Sequence, residues 1–217
     1  MSVAVKICGI RDDTALDAAA EGGASYVGFV FEAASKRYIS PELAGLLTQQ
    51  LPATLKAVGL FVDPGDEELR AVIKRVPLSI IQLHGTESPE RVAAVRALTG
   101  KQVMKAIHIA AQEDFKSVGT YEAAADMLLF DTKIGPLPTG GTGIAFNWKL
   151  LQGRNFAKPW MLAGGINIDN LAEAVATTRA RIVDVSSGVE DATGRKDPEK
   201  IRKLLKLAAS LGQAKTF

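Results

Sequence analysis

The sequence predicts a single (β/α)8 barrel, an α/β fold, over residues 1–217, on three observations. Eight short apolar runs alternate with eight longer stretches of helical spacing. The 217 residues fall within the about 200–250 that one such barrel occupies. The first run ends in Cys-Gly-Ile-Arg, not in the G-x-G-x-x-G turn usual in an open doubly wound sheet.

The runs are VAVKIC (3–8), YVGFVF (26–31), LKAVGLFV (55–62), SIIQLH (79–84), QVMKAIHI (102–109), MLLFDT (127–132), PWMLAG (159–164) and RIVDVS (181–186). They are nearly continuous in apolar residues, as parallel strands covered on both faces must be. The stretches between them begin near Asp12, Pro41, Asp66, Pro89, Gln112, Asn147, Asp169 and Pro198. Asp13, Ser40-Pro41, Ser88-Pro89 and Asp197-Pro198 stand where helix starts favour Asp, Ser or Pro. Residues 133–146 form the longest irregular piece, rich in Gly, Pro and Thr, and a loop of that length points to function.

Composition narrows the function. Hydrophobic residues make up 47% and charged residues 23%, with a formal net charge of +2. No basic stretch is interleaved with aromatics, so a nucleic-acid surface is not expected. The lone Cys8 excludes an internal disulfide and a structural zinc site built on cysteines. No His, Cys and carboxylate cluster shows ligand spacing, so neither metal nor other cofactor is expected. The N-terminus reads as no signal peptide, and no run approaches the about 18 apolar residues of a membrane helix. A cytoplasmic enzyme is expected, a monomer or homodimer acting on a small molecule, without nucleic-acid or membrane partners.

Active sites of this fold sit where strands end, which picks out a short set of residues. Gly164 and Gly165 follow strand seven; Ser186, Ser187 and Gly188 follow strand eight. Loops seven and eight form the recurrent phosphate site of such barrels, and Ser-Ser-Gly-Val-Glu reads as a short helical turn whose N–H groups face an anion. Cys8 ends strand one, where a thiol activated by a lowered pKa can act as base or nucleophile. Asp131 ends strand six, where a carboxyl at an apolar edge is expected to have a raised pKa and act as an acid. By strand alternation Lys6 shares a face with Cys8, and Asp184 with Ser186. Strands one and eight adjoin in a closed barrel, so Lys6 and Asp184 are expected to pair beneath the site. His84 shares a face with Gln82 and is either a ligand contact or a structural histidine. His108 is a weaker candidate, and Asp63, before Pro64-Gly65, reads as a turn residue. Arg37, in the loop over the mouth, suits a substrate carboxylate through paired hydrogen bonds.

KICGIR (6–11) resembles the opening signature of phosphoribosylanthranilate isomerases. GFVF (28–31), SKRYISP (35–41), QLHG (82–85), FD (130–131), GGTG (140–143), AGGI (163–166) and VDVSSGVE (183–190) follow in order along the whole chain. The resemblance implies an intramolecular aldose–ketose isomerase of tryptophan biosynthesis. It would carry out the Amadori rearrangement of N-(5-phosphoribosyl)anthranilate to an open-chain ketose, 1-(2-carboxyphenylamino)-1-deoxyribulose 5-phosphate. On that resemblance Cys8 matches the general base, Asp131 the general acid, Arg37 the arginine near the anthranilate carboxylate, and the AGGI and SSG segments the phosphate site. His84 and Asp184 join the substrate-binding set. Two departures occur: Ser35-Lys36-Arg37 where the family often has Ser-Pro-Arg, and Phe146-Asn147-Trp148 where it often has Phe-Asp-Trp. The competing readings are another phosphosugar barrel and a phosphate-binding barrel without catalysis. The histidine-pathway isomerase has Asp where this chain has Cys8. Indole-glycerol-phosphate synthase depends on lysines not found at matching places. A non-catalytic barrel would tolerate loss of Cys8 or Asp131, and both are present.

Overall fold

A computed structural model describes residues 3–132 and 147–211. Its eight strands are β1 (Ala4–Cys8), β2 (Tyr26–Val30), β3 (Lys56–Phe61), β4 (Ile80–Leu83), β5 (Gln102–Ile109), β6 (Met127–Thr132), β7 (Trp160–Leu162) and β8 (Ile182–Val185). All neighbours are parallel, and the sheet closes in the order β1 to β8, with Lys6 opposite Asp184 across the seam. This is the (β/α)8 barrel that the alternation of runs predicts.

The helices are α1 (Asp13–Glu21), α2 (Pro41–Thr48), α3 (Asp66–Arg75), α4 (Pro89–Thr99), α5 (Val118–Ala124), α6 (Leu171–Thr178) and α7 (Pro198–Leu211). Their starts follow from local chemistry. Ser40 and Ser88 accept from the backbone N–H of Leu43 and Arg91, each with a proline at the first helical position. At α1 the cap is Asp12, whose carboxylate accepts from Ala15 N at 2.9 Å; Asp13 already lies inside the helix. Two expected helices are shorter than their sequence pattern. After β5 a 3-10 stretch, Gln112–Ser117, precedes α5, and Asp114 turns back to accept from the N–H groups of Ala110 and Ala111. After β6 the expected helix near Asn147 is one 3-10 turn, Trp148–Leu151, followed by Gly153 at φ +73. A left-handed residue so soon after the start ends a helix. The glycine-rich segment 133–146, with its GGTG motif, lies outside the described residues.

Strand alternation divides the core in two. Outward residues such as Ile7, Val27, Phe29, Phe61 and Phe130 meet the helices in the larger cluster. Inward residues Val58, Ile80, Met104, Met127, Leu129 and Met161 fill the lumen. Above them come Cys8, Val30 and Leu60, so the lumen is a plugged floor and chemistry is confined to the rim. Among the described residues no helix is long and apolar enough to cross a membrane.

Candidate active site

A cavity of about 470 Å3 opens at the C-terminal ends of the strands, within the about 300–1,000 Å3 usual for small-molecule sites. Cys8, Arg37, His84, Asp131, Gly164, Gly165, Asp184, Ser186 and Ser187 all line it. Of the residues singled out in the sequence, Lys6, Asp63, His108 and Gly188 lie off this wall. Gly188 forms a bridge with Asn167, and a Cβ there would collide with the Ile166 carbonyl oxygen. It joins the loops after β7 and β8. The expected helical turn is there as two successive i→i+3 bonds, Val189 N to Ser186 O and Glu190 N to Ser187 O, the pattern of a single 3-10 turn.

Lys6 and Asp184 pair beneath the cavity as barrel closure predicts. Both carboxylate oxygens accept from Lys6 Nζ at 3.0 Å, and Lys6 is fully buried. Burial alone would lower the Lys6 pKa, but the charges of Asp184 and Cys8 outweigh it and raise it. Gly28 on β2 leaves room for this arrangement: a Cβ there would stand 3.0 Å from Cys8 Sγ and 3.1 Å from Lys6 Nζ. Cys8 is also buried, and burial pushes its thiol up. The Lys6 charge opposes this, Asp184 reinforces it, and Lys196 opposes it. The net direction is upward, the reverse of the lowered thiol pKa expected of a base.

Asp131 is also reversed. Burial would raise its pKa, but the His84 hydrogen bond and charge, His108 and the Thr132 N–H bring it below the usual carboxylate value. His84 Nε2 lies 3.3 Å from Asp131 Oδ2, and Thr132 N donates to Oδ1 at 2.7 Å. Gln82 Nε2 lies 3.0 Å from His84 Nδ1; with the amide in this orientation it donates there, and His84 Nε2 faces Asp131. His84 therefore serves the carboxylate and not Cys8, whose charged neighbours are Lys6, Asp184 and Lys196. His108 meets the His84 ring edge-on, with centroids 5.0 Å apart, and burial and His84 hold its pKa down.

Arg37 presents its fork to a partner that sequence reasoning missed. Its Nε donates to Glu190 Oε1 at 2.6 Å and Nη2 to Oε2 at 3.0 Å. Lys196 donates to the same Oε1 at 2.8 Å and to Ser186 O at 2.9 Å. Burial would raise the Glu190 pKa, yet the hydrogen bonds from Arg37 and Lys196 bring it down to about 2. Lys196, in an Asp/Gly/Lys-rich loop, looks solvated in sequence; only the need of a buried Glu190 for partners could have signalled it. The absence of a metal-ligand cluster, expected from spacing, is also corrected. Among the described residues, β4, β5 and β6 bring one ligand atom each of His84, His108 and Asp131 within 4.8 Å of one another.

After β7, Gly164 and Gly165 have φ +87 and +65, left-handed conformations that a Cβ disfavours. A Cβ on Gly164 would also strike Thr132 Oγ1. Asn170 Nδ2 donates to Gly165 O at 2.9 Å. The Ile166 N–H of the same trans peptide therefore points the opposite way, and Gly165 and Ile166 both line the cavity.

The chain matches the family model of N-(5'phosphoribosyl)anthranilate (PRA) isomerase over residues 5–207. It is 54% identical to the N-(5'-phosphoribosyl)anthranilate isomerase of Rhodospirillum centenum, over 97% of this chain and 100% of that one. The crystal structure of the Thermotoga maritima enzyme superposes with a TM-score of 0.86 at 36% identity, covering 96% of this chain and 99% of the other. A phosphoribosyl anthranilate isomerase in complex with reduced 1-(o-carboxyphenylamino)-1-deoxyribulose 5-phosphate gives 0.83 at 34% identity, with the same coverage. With the closed barrel and the rim cavity already in place, the chain belongs to the N-(5'-phosphoribosyl)anthranilate isomerase family.

Proposed function

We propose that this cavity isomerises N-(5'-phosphoribosyl)anthranilate with Cys8 as general base and Asp131 as general acid. As a member of its family the chain is an isomerase of tryptophan biosynthesis, converting an aldose to a ketose within one molecule. The carrying observation is that Cys8 and Asp131, from β1 and β6, line one cavity whose remaining arc holds the Gly164–Gly165 turn. We assign the sugar phosphate to Gly164, Gly165, Ile166 and Ser186–Ser187, supported by the left-handed glycines and the Ile166 N–H. The anthranilate carboxylate goes to Arg37, whose charge Glu190 holds at the cavity wall. His84 orients the Asp131 carboxyl, and Asp184 forms the floor with Lys6. We assign the reaction to the cytoplasm and to a monomer or homodimer. Purified protein should abolish the anthranilate fluorescence of freshly made substrate; a barrel without catalysis would leave it unchanged.

The chemistry has two proton steps. Asp131 protonates the ribose ring oxygen as its bond to the anomeric carbon breaks. Cys8 then removes the proton from the second ribose carbon, and the enolamine tautomerises to the ketone. In the free enzyme the shared proton rests on the thiol, because burial raises Cys8 while His84 lowers Asp131. The competent form carries it on Asp131. These two forms are tautomers, so their ratio does not change with pH. We therefore expect a broad plateau in kcat/KM, once the substrate phosphate ionisation near pH 6 is factored out. On the acid side activity falls when both groups are protonated and no base remains, below the ordinary Asp pKa of about 3.9. On the alkaline side it falls when both are ionised and no acid remains, above the ordinary thiol value of about 8.5. A narrow bell at neutral pH would contradict this order of titration.

The phosphate assignment has its own test. Gly165→Val adds a bulky side chain to a residue of the cavity wall and strains a left-handed residue. KM should rise about tenfold or more, equivalent to about 1.4 kcal/mol, with kcat less affected. An unchanged KM in a folded variant would remove Gly165 from the phosphate site.

A further inference from the structure

We propose that His84, His108 and Asp131 form a binding site for one divalent transition-metal ion of the zinc class, and that an ion there excludes catalysis. The three residues end successive strands β4, β5 and β6, with one ligand atom from each within 4.8 Å of the others. Zinc bonds to nitrogen and oxygen of about 2.0–2.1 Å place neighbouring ligands of a tetrahedron roughly 3.3 Å apart. His84 Nε2 and Asp131 Oδ2 are already 3.3 Å apart, so one edge of the tetrahedron is built. Only His108, half-buried and touching His84 ring to ring, has to close in.

The surroundings supply what ligating histidines need. A metal-bound imidazole donates its other ring N–H to a carbonyl or carboxylate, and that partner fixes the tautomer. His108 Nε2 lies 3.2 Å from the His84 carbonyl oxygen; donating there, it leaves the Nδ1 lone pair for an ion. For His84, an ion on Nε2 shifts the ring proton to Nδ1, which then needs an acceptor. Gln82 provides one. Its Oε1 is buried without a hydrogen-bond partner among the described residues, while its Nε2 contacts His84 Nδ1. Turning the amide over brings Oε1 onto Nδ1 at no net loss of hydrogen bonds. The unpartnered oxygen is an observation independent of the three ligands, and it fits the metal-bound tautomer of His84.

Two imidazoles and one carboxylate suit zinc, cobalt or nickel rather than magnesium or calcium, which take oxygen ligands. His84 and Asp131 line the cavity, so a fourth position opens to water or substrate. The site contains no thiolate and is separate from Cys8. Binding does not depend on the catalytic reading. The exclusion does rest on it, since an ion on Asp131 removes the proton that the carboxyl would deliver.

The experiment uses untagged protein dialysed against a chelator, which should be fully active, titrated with Co2+ and then Zn2+. Visible cobalt absorption and anthranilate fluorescence are followed together. One ion per chain is expected, with d–d bands of low-coordinate cobalt and no intense thiolate band. Activity should fall in proportion to occupancy and return on adding chelator. His108 touches none of the proposed reacting atoms. His108→Ala, with inhibition read against its own metal-free activity, should lose at least about 100-fold in cobalt affinity, the upper end of what even an outer partner contributes. His108→Gln, closer in size, controls for packing and should lose affinity likewise. Absence of cobalt bands, unchanged affinity in both His108 variants, or a thiolate band placing the ion on Cys8 would each overturn the site. Full occupancy with undiminished activity would support the site and overturn the exclusion, and with it the acid role of Asp131.

Discussion

Cys8→Ala is expected to lower kcat by about 10²–10⁴-fold, the usual contribution of a general acid or base, with little change in KM. Asp131→Asn should fall by a similar factor, because an amide donates no acidic proton to the ribose oxygen. Both losses belong in kcat, since neither group is assigned to the phosphate or the carboxylate of the substrate. The arrangement favours a base over a nucleophile at Cys8. Covalent catalysis by a thiol ordinarily relies on an adjacent base, but His84 faces Asp131 and the charged neighbours of the thiol are Lys6, Asp184 and Lys196. The two lysines supply charge to hold a thiolate once it forms. Wild-type kcat in folded Cys8→Ala would refute the base, and an adduct trapped on Cys8 would replace it with a nucleophile. Because Asp131→Asn also alters the contact with His84, its unfolding curve should accompany the kinetics.

Most of the barrel was legible because apolar runs and strand ends are local signals. β5 and β6 coincide with their predicted runs, and β1 starts one residue later than its run. The Lys6–Asp184 pair was legible for a less local reason: alternation fixes the inward face of each strand, and closure makes β1 and β8 neighbours. What escaped depended on distances between distant strands. The pKa directions of Asp131 and Cys8 were reversed because one follows from His84 two strands away and the other from depth of burial. The Glu190 clamp on Arg37 and the part of Lys196 in it were hidden for the same reason, since a charge in a polar loop carries no mark of its partner. His84, His108 and Asp131 form a cluster only when three strand ends come together, and no spacing rule along the chain detects it. The shortened helix after β6 fails differently: Asn147 caps the turn as expected, but Gly153 ends it.

Lys6→Met should be the most destabilising single change at the site. Lys6 is fully buried, and Asp184 is nearly so. Methionine fills much of the same volume but leaves Asp184 buried with no counter-ion. Removing one partner of a buried pair costs about 3–5 kcal/mol, whereas replacing both by apolar residues of similar volume is often neutral or stabilising. Denaturant unfolding should therefore show a large fall in midpoint for Lys6→Met and a return toward the wild type in Lys6→Met with Asp184→Val. Stability and activity should then part company. At the thiol the opposing Lys6 charge is a larger influence than the Asp184 charge. The double variant thus loses net stabilisation of the thiolate even though its fold recovers, and its alkaline limb should move to higher pH while kcat stays low. If the double variant regained both stability and kcat, the pair would be a structural plug alone, and Lys196 would be the cation that supports Cys8.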